Sequence, residues 1–174
     1  MCDVRGENAG PMAKRSVRQD PVQIRRAQIT DAEVIAGCLS AAFAQHRDEY
    51  TVEAYADTVL NSDGVRRRLR EMGLFVAISD GEIVGTIGCT VNRSEGHLRG
   101  MAVLPDWQGT GVALALLQTA EVELKKNGCG CITLDTTAPL MRAVRFYEKN
   151  GYSASGRVAD FFGMPLYEYR KLLL

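Results

Sequence analysis

The stretch Met101-Ala-Val-Leu-Pro-Asp-Trp-Gln-Gly-Thr-Gly-Val-Ala-Leu-Ala-Leu-Leu117 decides the fold of this chain. It reads as an apolar strand, a proline stop, a loop punctuated by Gly109 and Gly111, and the start of an amphipathic helix. The first N–H groups of a helix have no intrahelical partner, and the helix dipole makes that end favourable for anions. Glycine lets a bulky phosphate come close to the backbone. The loop from Gln108 to Ala113 therefore reads as a diphosphate cradle. Two known cradles fit poorly. A Walker A loop needs Gly-Lys-Ser/Thr, and no lysine follows Gly111 before Lys125. A dinucleotide fingerprint needs a third glycine, and Ala113 falls one position short of that site.

Downstream comes Gly128-Cys-Gly130, then an apolar strand from Cys131 to Thr136, then a helix through Met141 to Asn150. Gly151 stands where a helix C′ glycine belongs, with Lys149 in the last turn. Two patterns now stand in order. Gln108-x-x-Gly111-x-Ala113 follows a strand ending in Val103-Leu-Pro105, and Ala143-x-x-x-Tyr147-Glu-Lys-x-Gly151-Tyr152 follows at a distance. Together they resemble the two signatures of the GNAT superfamily of acyl-CoA-dependent N-acetyltransferases, over roughly residues 22 to 171.

The resemblance implies an α/β fold with a mixed, mostly antiparallel central sheet flanked by helices. It implies acetyl-CoA as co-substrate and transfer of its acetyl group to a primary amine, by direct attack in a ternary complex. Gln108, Gly109, Thr110, Gly111, Val112 and Ala113 would hold the pyrophosphate through backbone N–H groups. Met101, Ala102 and Val103 would line the pantetheine arm on a bulged strand whose backbone N–H polarises the thioester carbonyl. Ala143 would lie against the same arm. Tyr147 aligns with the tyrosine that many relatives use to protonate the departing thiolate; packing beside Phe146 and Tyr152 is the competing reading. The chain departs from the family pattern at Leu140, where many members place a pantetheine-binding asparagine, and Thr136, Thr137 or backbone groups are the substitutes. Arg142 and Arg145 are either solvated or within reach of the 3′-phosphate.

The base is read from residue chemistry. His97 opens the strand that passes the site, and an imidazole titrates near neutrality. Its competing role is a strand-end histidine bonded to backbone or solvent. Glu95 lies two residues earlier, while His46, Glu49, Tyr50 and Glu53 occupy the polar connection where relatives place their acceptor loop.

Length and composition agree with this reading. The 174 residues suit one domain, 22–174, preceded by a polar segment, 1–21, expected to be a flexible tail. Basic and acidic residues balance at 21 each, so the overall charge directs the chain to neither nucleic acid nor an acidic membrane. The apolar run Val112 to Leu117 is too short to span a bilayer, and Met1 to Asp20 lacks an apolar signal-peptide core. Five cysteines without framework spacing point to a reducing, cytoplasmic setting. Cys129-Gly-Cys131 is not a Cys-x-x-Cys pair, so buried thiols are expected, on one side of an extended segment, and no metal.

Along the chain, Val22 to Ala27 alternates as a first strand. Thr30-Asp-Ala-Glu33 reads as a capping box for a helix burying Val34, Ile35, Cys38, Leu39 and Phe43. A second helix covers about Val52 to Leu60, and Asn61 to Gly64 breaks it. Val65 to Met72 follows, with Arg66, Arg67, Arg68 and Arg70 expected mostly outward as a solvated face, phosphate binding being the alternative. Leu74 to Ser79 and Glu82 to Val91 flank Asp80-Gly81, a hairpin signal, and Gly85 and Gly88 suggest a bulge or close approach. His97 to Leu104 completes a meander, and Tyr152 to Val158 with Leu166 to Leu172 form a last pair whose edge is a candidate homodimer contact. The acceptor is expected to be a small-molecule amine rather than a peptide. The alternative function is a non-catalytic acetyl-CoA-binding sensor or interaction module.

Overall fold

The computed structural model describes residues 21–173. Its seven strands form one sheet in the order β1-β2-β3-β4-β5-β7-β6. They are β1 (Gln23–Arg26), β2 (Gly73–Ser79), β3 (Glu82–Asn92), β4 (Glu95–Val103), β5 (Cys131–Thr137), β6 (Ser153–Phe161) and β7 (Met164–Leu172). Every neighbouring pair is antiparallel except β4 with β5. The helices are α1 (Ala32–Phe43), α2 (Val52–Thr58), α3 (Ser62–Glu71), α4 (Val112–Lys126) and α5 (Met141–Lys149). The mixed, mostly antiparallel α/β architecture expected from the sequence is the one observed. The expected tail, residues 1–21, lies outside the described residues except for Pro21.

Strand alternation sorts side chains into two cores. In β2, Leu74 and Val76 face α1 and α3, where they join Ile35, Cys38, Leu39 and Val65. Phe75 and Ala77 face the opposite layer, where α4 contributes Val112, Leu116, Leu117, Ala120 and Leu124. Each fully buried Leu or Ile in these layers contributes about 1.5–3 kcal/mol by leaving water. The turn between β2 and β3 carries Asp80 at φ 51° and Gly81 at φ 78°, the two left-handed positions of a tight hairpin. Tyr152, just past α5, donates to Glu121 of α4, which also receives Lys171 of β7; this tyrosine serves packing between layers.

Several local expectations are corrected. The first helix is entered through a 3-10 turn, Ile29–Asp31, and Asp31 rather than Thr30 organises it. The Asp31 carboxylate accepts the Gln28 N–H at 2.7 Å and both ends of the Arg25 guanidinium at 2.7 and 3.0 Å. A bidentate guanidinium outcompetes a hydroxyl cap. Val34 points to solvent because it lies one residue off the helical face formed by Ala32, Ile35, Cys38 and Leu39. Asn61 does not merely break a helix: its side chain caps α3 by accepting the Gly64 N–H at 2.9 Å. Arg68 is buried, at 9% exposure, while Arg67 and Arg70 remain exposed. Cys129 sits in the turn after α4, not in an extended strand, so its thiol enters the core while that of Cys131 faces Glu95 and Arg170.

Candidate active site

The site begins where two parallel strands part. β4 and β5 pair from Glu95↔Cys131 through Leu98↔Leu134, and no pairing follows. On its other edge β4 carries a bulge. Thr86 faces Ala102 and Gly88 faces Arg99, so Gly100 and Met101 together oppose Ile87. Gly100 has φ 65°, a left-handed value that a glycine accepts without strain. The bulge explains why Leu98 and Val103, five residues apart, reach the same core. Gly85 and Gly88 flank it from β3 as close-approach sites: a Cβ on Gly88 would stand 3.0 Å from the Arg99 carbonyl. Beyond the bulge, the Leu104 N–H donates to the Val84 carbonyl. By alternation Ala102 also faces β3, which leaves the backbone groups of Met101 and the Val103 N–H open toward the gap between β4 and β5, while the Val103 carbonyl accepts from Gln108.

The cradle stands at the end of this gap. After the 3-10 turn Pro105–Trp107, Gly109 and Gly111 adopt φ 80° and 94°. The first backbone bond of α4 runs from Ala115 N–H to Gly111 O at 3.0 Å, so the preceding N–H groups have no intrahelical acceptor. Gln108 fixes the loop: its Nε2 donates to the Val103 carbonyl at 3.1 Å, and its Oε1 accepts from Arg142 at 3.0 Å. Thr110 bonds its hydroxyl to the Trp107 carbonyl, and the Val112 side chain is wholly buried in the core. These two residues can therefore present only backbone to a ligand.

Cradle, bulged strand and α5 enclose a cavity of about 600 Å³. Met101, Ala102, Val103, Gln108, Gly109, Gly111, Ala113, Ala143 and Tyr147 all line it, whereas Thr110 and Val112 do not. Arg142 and Lys149 line it too, and Arg145 does not. His46 is at its rim, bonded through Nδ1 to Glu49 at 2.9 Å. Tyr147 is 8% exposed and its hydroxyl donates to the Met101 sulfur at 3.2 Å. Burial raises the Tyr147 pKa far above that of a free phenol, so it stays protonated.

His97 belongs to a different space. A second cavity, of about 240 Å³, opens on the other side of the parting strands and is lined by Tyr50, Asp57, Arg68, His97, Arg99 and Gly100 among others. The Nδ1 atom of His97 is 3.0 Å from the Thr133 hydroxyl, which is itself 3.3 Å from the Glu95 carboxylate. When the single proton of Thr133 goes to Glu95, which can only accept, His97 donates Nδ1–H to Thr133 and a neutral imidazole carries its lone pair on Nε2, 3.6 Å from Asp135; when the imidazole is charged, Nε2–H faces that carboxylate. Desolvation raises the Asp135 pKa above the ordinary carboxylate range, against the opposing pull of His97. Asp135, Thr136 and Leu140 line both cavities and so form their common wall. The Thr136 hydroxyl is buried with no hydrogen-bond partner among the described residues. Thr137 is already engaged, sharing a 2.6 Å hydrogen bond with Tyr50.

Sequence reasoning passed over Asp135, Arg68 and Arg99 as site residues. Two signals were available. Asp135 lies two positions past Thr133, the register partner of His97, so the same strand face carries both. Arg68 follows Val65 by three residues and shares its buried helix face. Arg99 gave no comparable signal; it enters the wall through its ion pair with Asp57 of α2.

The chain matches the family model for the acetyltransferase (GNAT) family over residues 36–152. An aminoglycoside N(6′)-acetyltransferase type 1 of Stenotrophomonas maltophilia is 31% identical over 106 residues, which cover 55% of this chain and 69% of the relative. An uncharacterized N-acetyltransferase of Methanocaldococcus jannaschii is 34% identical over 79 residues, covering 45% of this chain and only 51% of that relative's length. Among solved structures, the PaiA N-acetyltransferase of Thermoplasma acidophilum in complex with coenzyme A superposes with a TM-score of 0.74 at 18% identity. The superposition covers 88% of this chain and 100% of that one, and carries the fold.

Proposed function

The chain belongs to the GNAT acetyltransferase family, and on that premise we propose that it transfers the acetyl group of acetyl-CoA to the primary amine of a small molecule, by direct attack in a ternary complex. The observation that carries this reading is the pair of cavities meeting at one wall, with a cradle and a buried phenol on one side and a histidine on the other. The residues present suit the co-substrate. Free N–H groups at the start of α4 suit a diphosphate, and the orphaned Thr136 hydroxyl supplies a hydrogen bond that the protein itself leaves unused.

Acetyl-CoA supplies the activated acyl group. Backbone N–H groups from Gly109 to Ala113 hold its diphosphate, and the backbone of Met101 with the N–H of Val103 pairs with its pantetheine amides in the manner of an added strand. Ala143 packs beside that arm. Tyr147 turns from the Met101 sulfur to deliver its phenolic proton to the departing sulfur. The Nε2 lone pair of His97 takes the proton of the acceptor amine, directly or through one water.

The cysteines support direct attack over a covalent acetyl-enzyme. Neither cavity is lined by a thiol, and burial pushes Cys38 and Cys89 up to about 11. Such free thiols, Cys38, Cys89, Cys129 and Cys131, also fit a reducing cytoplasmic setting. The test is release of coenzyme A from acetyl-CoA, followed by mass spectrometry against small amines, amino acids, aminoglycosides and short peptides. Release with a small amine supports the reading, and release with peptides alone corrects the acceptor class. Tight acetyl-CoA binding with no turnover on any acceptor would overturn it.

A further inference from the structure

Arg68 stands apart from every other arginine of the described chain. The residue is 9% exposed, yet its guanidinium makes no hydrogen bond or ion pair among the described residues. Its neighbour Arg66 pairs with Asp63, and Arg99 pairs with Asp57. The guanidinium lies against the bulge: a Cβ on Gly100 would stand 2.5 Å from Arg68 Nη1. The wall of the acceptor-side cavity is made partly by Arg68. The guanidinium opens on the cavity with donors that the described residues leave unused, and its planar fork matches a carboxylate. Asp57, the nearest acid in that wall, is already engaged by Arg99.

We propose that Arg68 binds a carboxylate of the acceptor, so that the substrate is an amino acid or a similarly small amine bearing a carboxylate. This rests on the reading of the smaller cavity as the acceptor site. Arg68, Arg99, His97 and Asp135 all line this cavity, so it offers guanidinium groups for an acid and, beside Asp135, an imidazole for an amine. An acceptor seated between them has its acid end on the guanidinium and its amine toward the imidazole. At about 240 Å³ the cavity is smaller than the ~300–1,000 Å³ of drug-sized sites, which suits a single amino acid.

The experiment compares free glycine, alanine, methionine, glutamate and lysine with their carboxamides. Turnover with acetyl-CoA and calorimetric binding in the presence of coenzyme A are both measured, for the native chain and for Arg68→Gln and Arg68→Lys. Affinity for coenzyme A serves as the folding control. At least one acid is expected to exceed its amide by about 100-fold or more in kcat/KM. Arg68→Gln should lose most of that ratio through KM, with Arg68→Lys intermediate. Acid-selective binding that depends on Arg68, without turnover, upholds the carboxylate site and overturns only the transfer reading. Equal use or binding of acid and amide, binding of neither, or a ratio that survives Arg68→Gln overturns the proposal.

Discussion

The hydroxyl of Tyr147 donates to the sulfur of Met101 across 3.2 Å, linking α5 to the bulged strand. The phenol is buried, and this thioether is its hydrogen-bond acceptor in the described chain. A protein sulfur is a weak acceptor, so the donor is held in place at little cost to its transfer to a better one. Both residues line the larger cavity, which reaches the glycine loop at Gln108, Gly109 and Gly111.

Tyr147→Phe is expected to lower kcat by about 10²–10⁴, the range for a lost general acid, with coenzyme A affinity changed by less than about threefold. Single-turnover acetyl transfer and calorimetric binding give the two numbers. A loss of affinity as large as the loss of rate would reassign Tyr147 to packing.

Thr136→Val tests the unpartnered hydroxyl. In the free protein the variant should be equally stable or about 1 kcal/mol more stable, because a buried hydroxyl without a partner costs free energy. Affinity for acetyl-CoA or the rate of transfer should nonetheless fall about tenfold. Urea unfolding with and without coenzyme A reads both effects, and a variant that loses stability without ligand contradicts the assignment.

Asp31→Asn should destabilise the fold by about 1–2 kcal/mol at neutral pH, since Asn can satisfy neither both guanidinium bonds nor the charge. Arg25, hydrogen-bonded to Asp31, holds its pKa below the ordinary carboxylate value. Its stabilising contribution is therefore fully present above about pH 4, the unfolded-state value, and is lost as pH falls through the lower folded-state value. The gap between native and variant should close over that acidic window in chemical denaturation at a series of pH values.

Gly96→Ala should cost about 1–3 kcal/mol through overpacking, because the new Cβ would stand 2.7 Å from a methyl of the fully buried Leu124. The site is at the far end of β4, so coenzyme A affinity is expected to hold. Thermal unfolding and a binding isotherm on the same preparation check the pair of outcomes.

Gly100→Ala acts at the bulge itself. The variant combines a left-handed backbone, φ 65°, with a Cβ on top of Arg68. It should lose about 1–3 kcal/mol of stability and discriminate acid from amide acceptors less than the native chain. Retained discrimination with full stability would show that the guanidinium does not rest on that glycine.

Much of this protein is determined by local sequence. Gln108 to Ala113 and Ala143 to Tyr152 prescribe a glycine loop entering a helix and a second helix closed by glycine, and these elements form where the spacing puts them. Asp80-Gly81 prescribes its own hairpin, and alternation in β2 prescribes which residue enters which core. These features depend on φ preferences and on periods of 2 and 3.6, which act within a few residues.

Other features depend on partners distant in the chain. Asp31 displaces Thr30 as the organiser of α1 because Arg25, on a strand, reaches it. Val34 faces water because α1 lays the face of Ala32, Ile35, Cys38 and Leu39 against the sheet and α3. The separation of His97 from Tyr147 into two cavities, and their meeting at Asp135, Thr136 and Leu140, follows from β4 and β5 parting after Leu98. Arg68 looks like one of four solvated arginines until α3 is laid against Gly100 of β4. A buried charge is defined by what surrounds it in space, and no local pattern encodes which strand a helix will cover.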